Sequence, residues 1–380
     1  MSLLGVPATI WAGPTVPVPL PAALTQAVHQ IQVQTSDSSP SGCSISLNVG
    51  RKGWLGLPMY DFTEHLAQLN QGNRIQIRVK VGVVPEPIFD GLITEQEYSF
   101  GSEAGTSTLT LRCRDLTARL DLETKEHSFE NLDETGIVDD ILQGYRDVIP
   151  GPNVLIPPLA PNPTVEVEGG RRYVATDLAV INNLGRAHNY VFLIEPGQLG
   201  SAAYWGPKKK VTAPQKAISI NMGPFTNATG FSVTGSENVG TTVTGTIRDP
   251  DTGLDVPVVT SPVSPIPGNA AMPAAARSPD LVRTELVEEG GRPAAAALAQ
   301  EQARADSVAD GAMRATGTLD VARFGDILRP FQTVGVRGVG HHDGNWYVER
   351  VSHQLQPGSY VQNFTLSRSG DFPLFPLVAV

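Results

Sequence analysis

Strict alternation of apolar and polar residues dominates the first third of the chain. In RIQIRVKVGVV (74–84), five aliphatic side chains share one face, and Gln76, Arg78 and Lys80 share the other. This two-residue period is typical of β-strands with one buried face. Further strand-like segments lie at 45–49, 89–100 and 107–116. Several short strands with turns between them predict a first β-barrel over residues 28–122.

The hydrophobic period changes after residue 122. Asp133 is placed to cap a helix. The apolar stripe of that helix comprises Ile137, Val138, Ile141, Leu142 and Tyr145. A second helix is predicted from Thr176, and it leads into a strand at 190–195 and a return strand at 202–206. Together these segments predict a small α+β domain over residues 123–205.

Strand patterns resume at residue 216 and again from about residue 316 to the end of the chain. Between them lie seven prolines, from Pro250 to Pro279, and an alanine-rich stretch with Pro293 at its first turn. These features predict a Pro-rich linker and a helix at 251–315. They would be inserted into a second β-barrel, whose two parts are residues 206–250 and 316–380.

Residues 1–27 contain five prolines and predict an extended N-terminal arm. With this arm, the predicted fold is mainly β with an α+β part. Two β-barrel domains flank a small α+β domain, and the second barrel carries the insertion.

The composition is low in charge and rich in turn formers. The 380 residues include 38 glycines and 31 prolines, 17% are charged, and the formal net charge is −10. Because phosphate binding needs a cationic face, this charge disfavours a nucleic-acid partner. The only run of basic residues, at 208–210, is predicted to be a solvated turn. No segment has the pattern of a membrane span or of a signal peptide.

Two cysteines, Cys43 and Cys113, are too few for a disulfide framework or a zinc site. Buried free thiols are the favoured interpretation. A single bond between the two residues stays open at the level of sequence.

The histidines near the C-terminus are the first candidates for chemistry. Neighbouring strand residues point to opposite faces. His341 and His342 therefore do not suit one metal ion, and Ser352 and His353 do not suit a catalytic pair. No G-x-S-x-G motif is present, and no helix follows the glycine-rich stretch 335–340 to hold a phosphate.

Acidic pairs offer no better case for catalysis. Two pairs are interpreted as solvated loop charges: Glu166 with Glu168, and Glu288 with Glu289. The sequence therefore assigns no catalytic, cofactor-binding or metal-binding residue, and the protein is predicted not to be an enzyme.

The C-terminal stretch GNWYVERVSHQLQPGSYVQNFTLSR has the pattern of a β-hairpin. Its turn is placed at 356–359, where a Pro-Gly pair supplies the negative and then the positive φ. A change of phase predicts a β-bulge near Glu349 and Arg350. The aromatic residues of the hairpin are interpreted as core or interface residues rather than a carbohydrate platform: Trp346, Tyr347, Tyr360 and Phe364.

Several segments together resemble the baseplate hub proteins of contractile tails. NRIQIRVKVGVVPEPIFDGLITEQEYSF and STLTLRCRDLTARLD resemble the first barrel of that family. YVATDLAVINNLGRAHNYVFLIEPG is similar to the unit between its barrels. AAYWGP and ISINMGPFTNATGFSV resemble the entry to the second barrel, and GNWYVERVSHQLQPGSYVQNFTLSRSG resembles its end. The family includes the late-control gene D proteins of phages and the hub part of type VI secretion spike proteins.

The resemblance implies a mechanical function. Such hubs assemble as homotrimers whose six barrels surround a channel, and they adapt a sixfold tail tube to a threefold spike. The implied partners are the tail tube (or tube initiator) protein, a spike protein, other baseplate proteins and the tape measure protein. Because the chain stops soon after the second barrel, the spike is expected to be a separate protein. No cofactor, specific nucleic acid or membrane insertion is implied.

The implied location is a virion or phage-like particle, at the tail baseplate, assembled in the bacterial cytoplasm. Two alternatives stay open. A carbohydrate-binding β protein would be a monomer that binds glycans through the aromatic hairpin. A tail-associated cell-wall hydrolase would show lytic activity that depends on an acidic residue. The role of 251–315 and the choice between a phage and a domesticated injection system are not decided by the sequence.

Overall fold

The structure, a computed structural model, describes most of residues 8–371. The residues outside this description are 1–7, 15, 50, 55–56, 61–65, 103–105, 160–170, 199, 211, 238–239, 251, 262–271, 274–278, 288–292 and 372–380.

Strands outnumber helices along the described chain. The strands are β1 (Ala8–Gly13), β2 (Val18–Pro19), β3 (Val28–Ser36), β4 (Gly42–Asn48), β5 (Arg51–Trp54), β6 (Leu57–Tyr60), β7 (Arg74–Val79), β8 (Glu86–Ser99), β9 (Thr108–Asp115), β10 (Thr124–Phe129), β11 (Val154–Leu155), β12 (Arg171–Thr176), β13 (Tyr190–Glu195), β14 (Ala202–Pro207), β15 (Gln215–Ser219), β16 (Ala228–Gly235), β17 (Gly240–Arg248), β18 (Asp255–Val259), β19 (Met272–Pro273), β20 (Val282–Leu286), β21 (Met313–Asp320), β22 (Thr333–Arg337), β23 (Gly344–Gln356), β24 (Ser359–Arg368) and β25 (Gly370–Asp371). The helices are α1 (Ala22–Ala27), α2 (Thr117–Leu120), α3 (Glu134–Gln143), α4 (Asp177–Arg186), α5 (Ala294–Asp310) and α6 (Val321–Phe324). The predicted mainly β class is confirmed.

One large sheet unites the two β regions. Its strand order is β16-β21-β24-β23-β3-β4-β9-β8-β7-β1-β2, and β22 and β15 branch from β23. We call β1–β4 with β7–β9 the first β region, and β15, β16 and β21–β24 the second. They join where Arg350–Leu355 of β23 pair antiparallel with Ile31–Ser36 of β3. The prediction of two closed barrels is therefore corrected. Strand pairing runs through both regions, and among the described residues neither region is closed into a barrel.

A single hydrophobic core lies against this sheet. It includes Ile31 and Ile77 from the first region and Val351 and Phe364 from the second, each at most 2% exposed. Alternation explains this, because successive strand residues face opposite sides of the sheet and these residues lie on the side that faces the core. In β7 the burial follows the predicted face for Ile75, Ile77 and Val79. Because a shared core spans the β3–β23 junction, the two regions are packed together as well as hydrogen-bonded.

The unit between the β regions has the helices that the sequence predicts. The Asp133 carboxylate accepts a hydrogen bond from the Gly136 backbone N–H at 2.7 Å and caps α3. The Thr176 hydroxyl accepts one from Ala179 N–H at 3.2 Å and caps α4. Both helices bury their apolar stripes in a second core with Trp205 of β14. Strand β14 pairs with β13 antiparallel and with β11 parallel.

Three segments differ from their sequence-based expectations. Strand β7 ends at Val79, and Val83, expected on the same buried face, is 88% exposed. Part of the predicted N-terminal arm is strand β1, paired with β7. Strand β17, expected in the second barrel, instead pairs with β18 and β20 in a separate three-stranded sheet that packs against α5. Local pattern does not reveal these partners, because strands far apart in sequence select them.

Candidate functional site

The last hairpin, β23–β24, forms the second-region side of the junction. Its turn has Gly358 at φ +76°, the left-handed conformation predicted for it. The ladder with β24 shifts register between Val348 and Arg350, which confirms the predicted β-bulge. Beyond the bulge, Val351, His353 and Leu355 of β23 are buried. The bulge therefore changes which residues face the core just where β23 begins to pair with β3.

His353 lies inside this hairpin as a buried polar residue. Its Nδ1 atom is 2.8 Å from the Tyr360 hydroxyl and 3.4 Å from Nε2 of Gln362. Burial lowers the pKa of His353 to about 3 and raises the pKa of Tyr360. The imidazole is thus neutral at physiological pH. The Gln362 amide also bonds both backbone groups of Leu328, so this polar group ties the hairpin to a neighbouring loop.

The lysine run extends the junction to the α+β unit. Lys208 Nζ lies 3.0 Å from Asp37 Oδ2 and 5.7 Å from the centre of the Tyr347 ring. Asp37 follows β3 directly, and its backbone N–H donates to the Glu349 carbonyl at 3.1 Å. Burial opposes the charge on Lys208, but attraction to Asp37 and Glu349 raises its pKa overall. Lys208 thus links the segment after β14 to the end of β3 and to the bulge.

The other two lysines also have acidic partners. Lys209 Nζ is 2.6 Å from Glu195 Oε1 and 4.2 Å from the centre of the Tyr204 ring. Lys210 is buried and pairs with Asp310 at the end of α5. Burial lowers the pKa of Lys210, and the charge of Asp310 opposes that shift. The prediction of a solvated turn is wrong, because each lysine is held by a carboxylate distant in sequence.

A cleft of about 480 Å³ opens where the first β region, the α+β unit and the second β region meet. Its walls are largely apolar and include Ile88, Pro196, Ile327 and Phe331, with the His353 ring also lining it. At its edge the Arg329 guanidinium binds both carboxylate oxygens of Glu86, at 2.6 and 2.8 Å. Both bonds come from the same guanidinium nitrogen, Nη2, and this ion pair connects the first and second β regions across the cleft.

Asp90 anchors the α+β unit to the first β region beneath the cleft. Both of its oxygens accept bonds from Arg74, at 2.7 and 2.8 Å. One of them also accepts from the Ser201 hydroxyl at 2.7 Å. The carboxylate is buried and its acceptors are used by fixed donors. It therefore suits a structural role rather than proton transfer.

Sequence reasoning missed a polar cluster around Asp177, the first residue of α4. Its carboxylate accepts from Lys125 Nζ at 2.6 Å and from the Tyr145 hydroxyl at 2.5 Å. His127 Nε2 lies 3.1 Å from its other oxygen. Burial raises the pKa of Tyr145. The four residues come from β10, from α4 and from the turn after α3, and no local motif signals their meeting.

The remaining candidates fall in three places. Trp346, Tyr347, Tyr360 and Phe364 are each at most 6% exposed, as predicted for core residues. His341 and His342 lie in a short 3-10 turn between β22 and β23. The two glutamate pairs lie outside the described residues, as does the sequence 262–271 of the predicted linker.

In the described part of the chain, no three His, Cys, Asp or Glu side chains are arranged to hold a metal ion. No helix in the same part of the chain has the length and apolarity needed to cross a membrane.

The fold as a whole is similar to those of two solved tail proteins. The tail protein from Neisseria meningitidis MC58 matches with a TM-score of 0.63 at 11% identity, over 96% of this chain and 97% of that protein. The 43 kDa tail protein of prophage MuSo2 from Shewanella oneidensis matches with a TM-score of 0.62 at 11% identity, over 96% and 98%. The chain has the fold of these tail proteins.

A secretion protein shares the same architecture. The E. coli c3393 protein, a component of the type VI secretion system with structural similarity to the phage T4 tail proteins gp27 and gp5, matches with a TM-score of 0.58. Identity is 10%, and the match covers 92% of this chain and 77% of that protein. No protein-family model and no curated protein sequence matches the chain. The similarity of this chain to the proteins named above is therefore a similarity of fold.

Proposed function

We propose that this chain is the structural hub of a tail baseplate, in a contractile phage tail or a related injection machine. The observation that carries the proposal is the fold match with two tail proteins over 96% of the chain. It includes both β regions and the unit between them, so the whole architecture supports the assignment. The match with a type VI secretion component supports the wider class of machine.

The proposed hub is a homotrimeric ring that adapts a sixfold tail tube to a threefold spike. Two β regions per subunit, side by side in one sheet, support this geometry, because three copies present six such regions. The β3–β23 ladder and the ion pair Arg329–Glu86 fix the two β regions to each other, and the pair Lys208–Asp37 ties the α+β unit to the end of β3. A rigid relation between them is what a symmetry adaptor needs.

The proposed partners follow from this position. They are the tail tube or tube initiator protein, a separate spike protein, other baseplate proteins and the tape measure protein. The proposed location is the baseplate of a virion or phage-like particle, assembled in the bacterial cytoplasm.

The net charge of −10 supports a function without specific nucleic-acid binding. A non-enzymatic role is supported by the fixed hydrogen bonds of Asp90 and by the buried, neutral His353.

Size-exclusion chromatography with light scattering tests the proposal. The full chain is run alone and after mixing with the spike protein expressed from the same gene cluster. The expected result is a mass of three copies of 40.4 kDa, alone or with the spike bound. The same samples are assayed for glycan binding and for lysis of cell walls. A chain that stays monomeric with the spike and degrades peptidoglycan would overturn the hub assignment, and a glycan-binding monomer would favour the carbohydrate-binding alternative.

A further inference from the structure

Cys43 and Cys113 face each other across the ladder between β4 and β9. They are directly paired in the antiparallel register. Both are free thiols, and their exposed fractions are only 6% and 4%. Their strands lie in the middle of the first β region, with Ile45 paired to Leu111 on the same buried face. Two thiols are therefore held side by side in a buried, central part of the sheet.

The hydrogen bonds nearby show which type of antiparallel pair this is. Asp115 N–H donates to the Ser41 carbonyl at 2.9 Å, and Val49 N–H donates to the Ser107 carbonyl at 2.8 Å. Hydrogen-bonded pairs alternate with non-bonded pairs along such a ladder. The cysteines lie two positions from the first of these pairs and six from the second. Cys43 and Cys113 are thus a hydrogen-bonded pair, for which a Cα separation of about 5.5 Å is usual.

This separation allows a disulfide but strains it. The Cα distances found in disulfides range from about 4.4 to 6.8 Å, so the backbone is within reach. The Cβ atoms of a hydrogen-bonded pair are typically about 5.5 Å apart, whereas a disulfide holds them about 3.5–4.5 Å apart. Bond formation must therefore draw the two strands together locally. Strain of this kind makes a disulfide easier to reduce.

We propose that Cys43 and Cys113 form a reversible intrachain disulfide when the protein meets a hydroperoxide. Hydrogen peroxide transfers one oxygen to one thiol, which becomes a sulfenic acid, and its other oxygen leaves as water. The second sulfur then attacks the sulfenic sulfur, the S–S bond forms, and the sulfenic oxygen leaves as a second water. Two thiols and one hydrogen peroxide thus give one disulfide and two waters.

The surroundings of the pair determine when the bond forms. Burial raises the pKa of the Cys43 thiol, and contact with Cys113 raises it further, so the reaction is slow. In a reducing cytoplasm, a strained bond stays open. If the proposed baseplate function is correct, the protein leaves that compartment with its particle, and the bond closes in oxidising surroundings. The disulfide itself does not depend on that function, because it is measured on the isolated chain.

Intact mass spectrometry on the folded, full-length protein tests the proposal. The reduced chain is incubated with hydrogen peroxide, and the expected product is lighter by two hydrogen masses. Peptide mapping should identify a 43–113 cystine. Glutathione added afterwards, at the concentration found in cytoplasm, should restore both thiols. The oxidised chain should melt a few degrees higher, because the bond closes a long loop at the cost of some strain.

The single variants Cys43→Ser and Cys113→Ser serve as matched controls, and neither should lose two hydrogens. The main readout needs only the unaltered chain, so it survives if a variant fails to fold. The proposal is overturned if the folded protein keeps both thiols or gains only oxygen atoms. It is also overturned if the cystine forms only in denaturant or only between chains, or if glutathione leaves it intact.

Discussion

The Nδ1 atom of His353 and the hydroxyl of Tyr360 lie 2.8 Å apart, on neighbouring strands of the last hairpin. Both residues are buried, and the histidine is part of the β3–β23 junction, where it is paired with Val33. This contact makes the junction sensitive to acid. The histidine has no compensating negative charge among its hydrogen-bond partners, so protonation inside the fold is unfavourable.

We expect the free energy of unfolding to fall as the pH is lowered below about 6.5, the usual pKa of an unfolded histidine. The folded pKa of His353 is about 3, so the unfolded state binds one more proton between these values. The contribution of neutral His353 to the free energy of unfolding is fully present above the unfolded-state pKa. It is lost progressively as the pH falls to the folded-state pKa. The expected slope is on the order of 1 kcal/mol per pH unit.

Urea unfolding from pH 7 to pH 4 measures this slope in the wild type and in His353→Gln, which cannot titrate. The variant should show a shallower decline. The exposed His341 provides the matched control, because His341→Gln should keep the wild-type slope. Equal slopes in wild type and His353→Gln would contradict the prediction.

Removing the charge of Lys208 should destabilise the protein strongly. The Asp37 side chain is 4% exposed and that of Lys208 is 19% exposed, so Lys208→Met leaves a buried carboxylate without its partner. The expected loss of unfolding free energy is on the order of 3 kcal/mol. Urea denaturation measures it, with the exposed Lys80→Met as control. Recovery of part of the loss in Lys208→Met/Asp37→Asn would assign it to the unpaired charge. A loss no larger than that of the control would refute the pair's importance.

Arg74 and Arg329 each pair with a carboxylate, but their replacement should lower the free energy of unfolding by different amounts. Arg74 binds Asp90, and their side chains are 12% and 1% exposed; Arg329 binds Glu86, and both of theirs are 38% exposed. Arg74→Met should cost about 3 kcal/mol or more, because it strands a buried carboxylate. Arg329→Met should cost about 1 kcal/mol or less, because water screens its partner. Chemical denaturation of the two variants in parallel gives the comparison, and similar losses would contradict it.

The cap of α3 makes a smaller and more local contribution. Asp133→Ala removes the bond to Gly136 N–H, and the expected loss of unfolding free energy is about 1 kcal/mol. The nearby exposed residue Glu130 supplies the control variant, Glu130→Ala. Thermal melting followed by circular dichroism compares the two. An unchanged melting temperature in Asp133→Ala would show that water replaces the cap.

Local features of the sequence predict several elements correctly. Alternation identifies β7 and β24, apolar spacing with Asp133 and Thr176 identifies α3 and α4, and a change of phase identifies the bulge after Val348. These signals are reliable because backbone geometry fixes the period of burial, and because caps and bulges act within a few residues. The aromatic residues of the last hairpin are expected in the core or an interface, and all four are buried, although no periodicity signals it because Trp346 and Tyr347 are adjacent in sequence.

The junction itself follows from contacts between distant parts of the chain. Nothing in the local pattern tells that β23 pairs with β3, or that Lys208 meets Asp37, 171 positions away in the numbering. The sequence by itself determined the element types, the buried faces and the mainly β class, because these depend on local periodicity. Only the tertiary structure decided that two expected barrels share one sheet and that a lysine run is buried in ion pairs. Strand partners and charge partners are selected by global packing, which no short segment encodes.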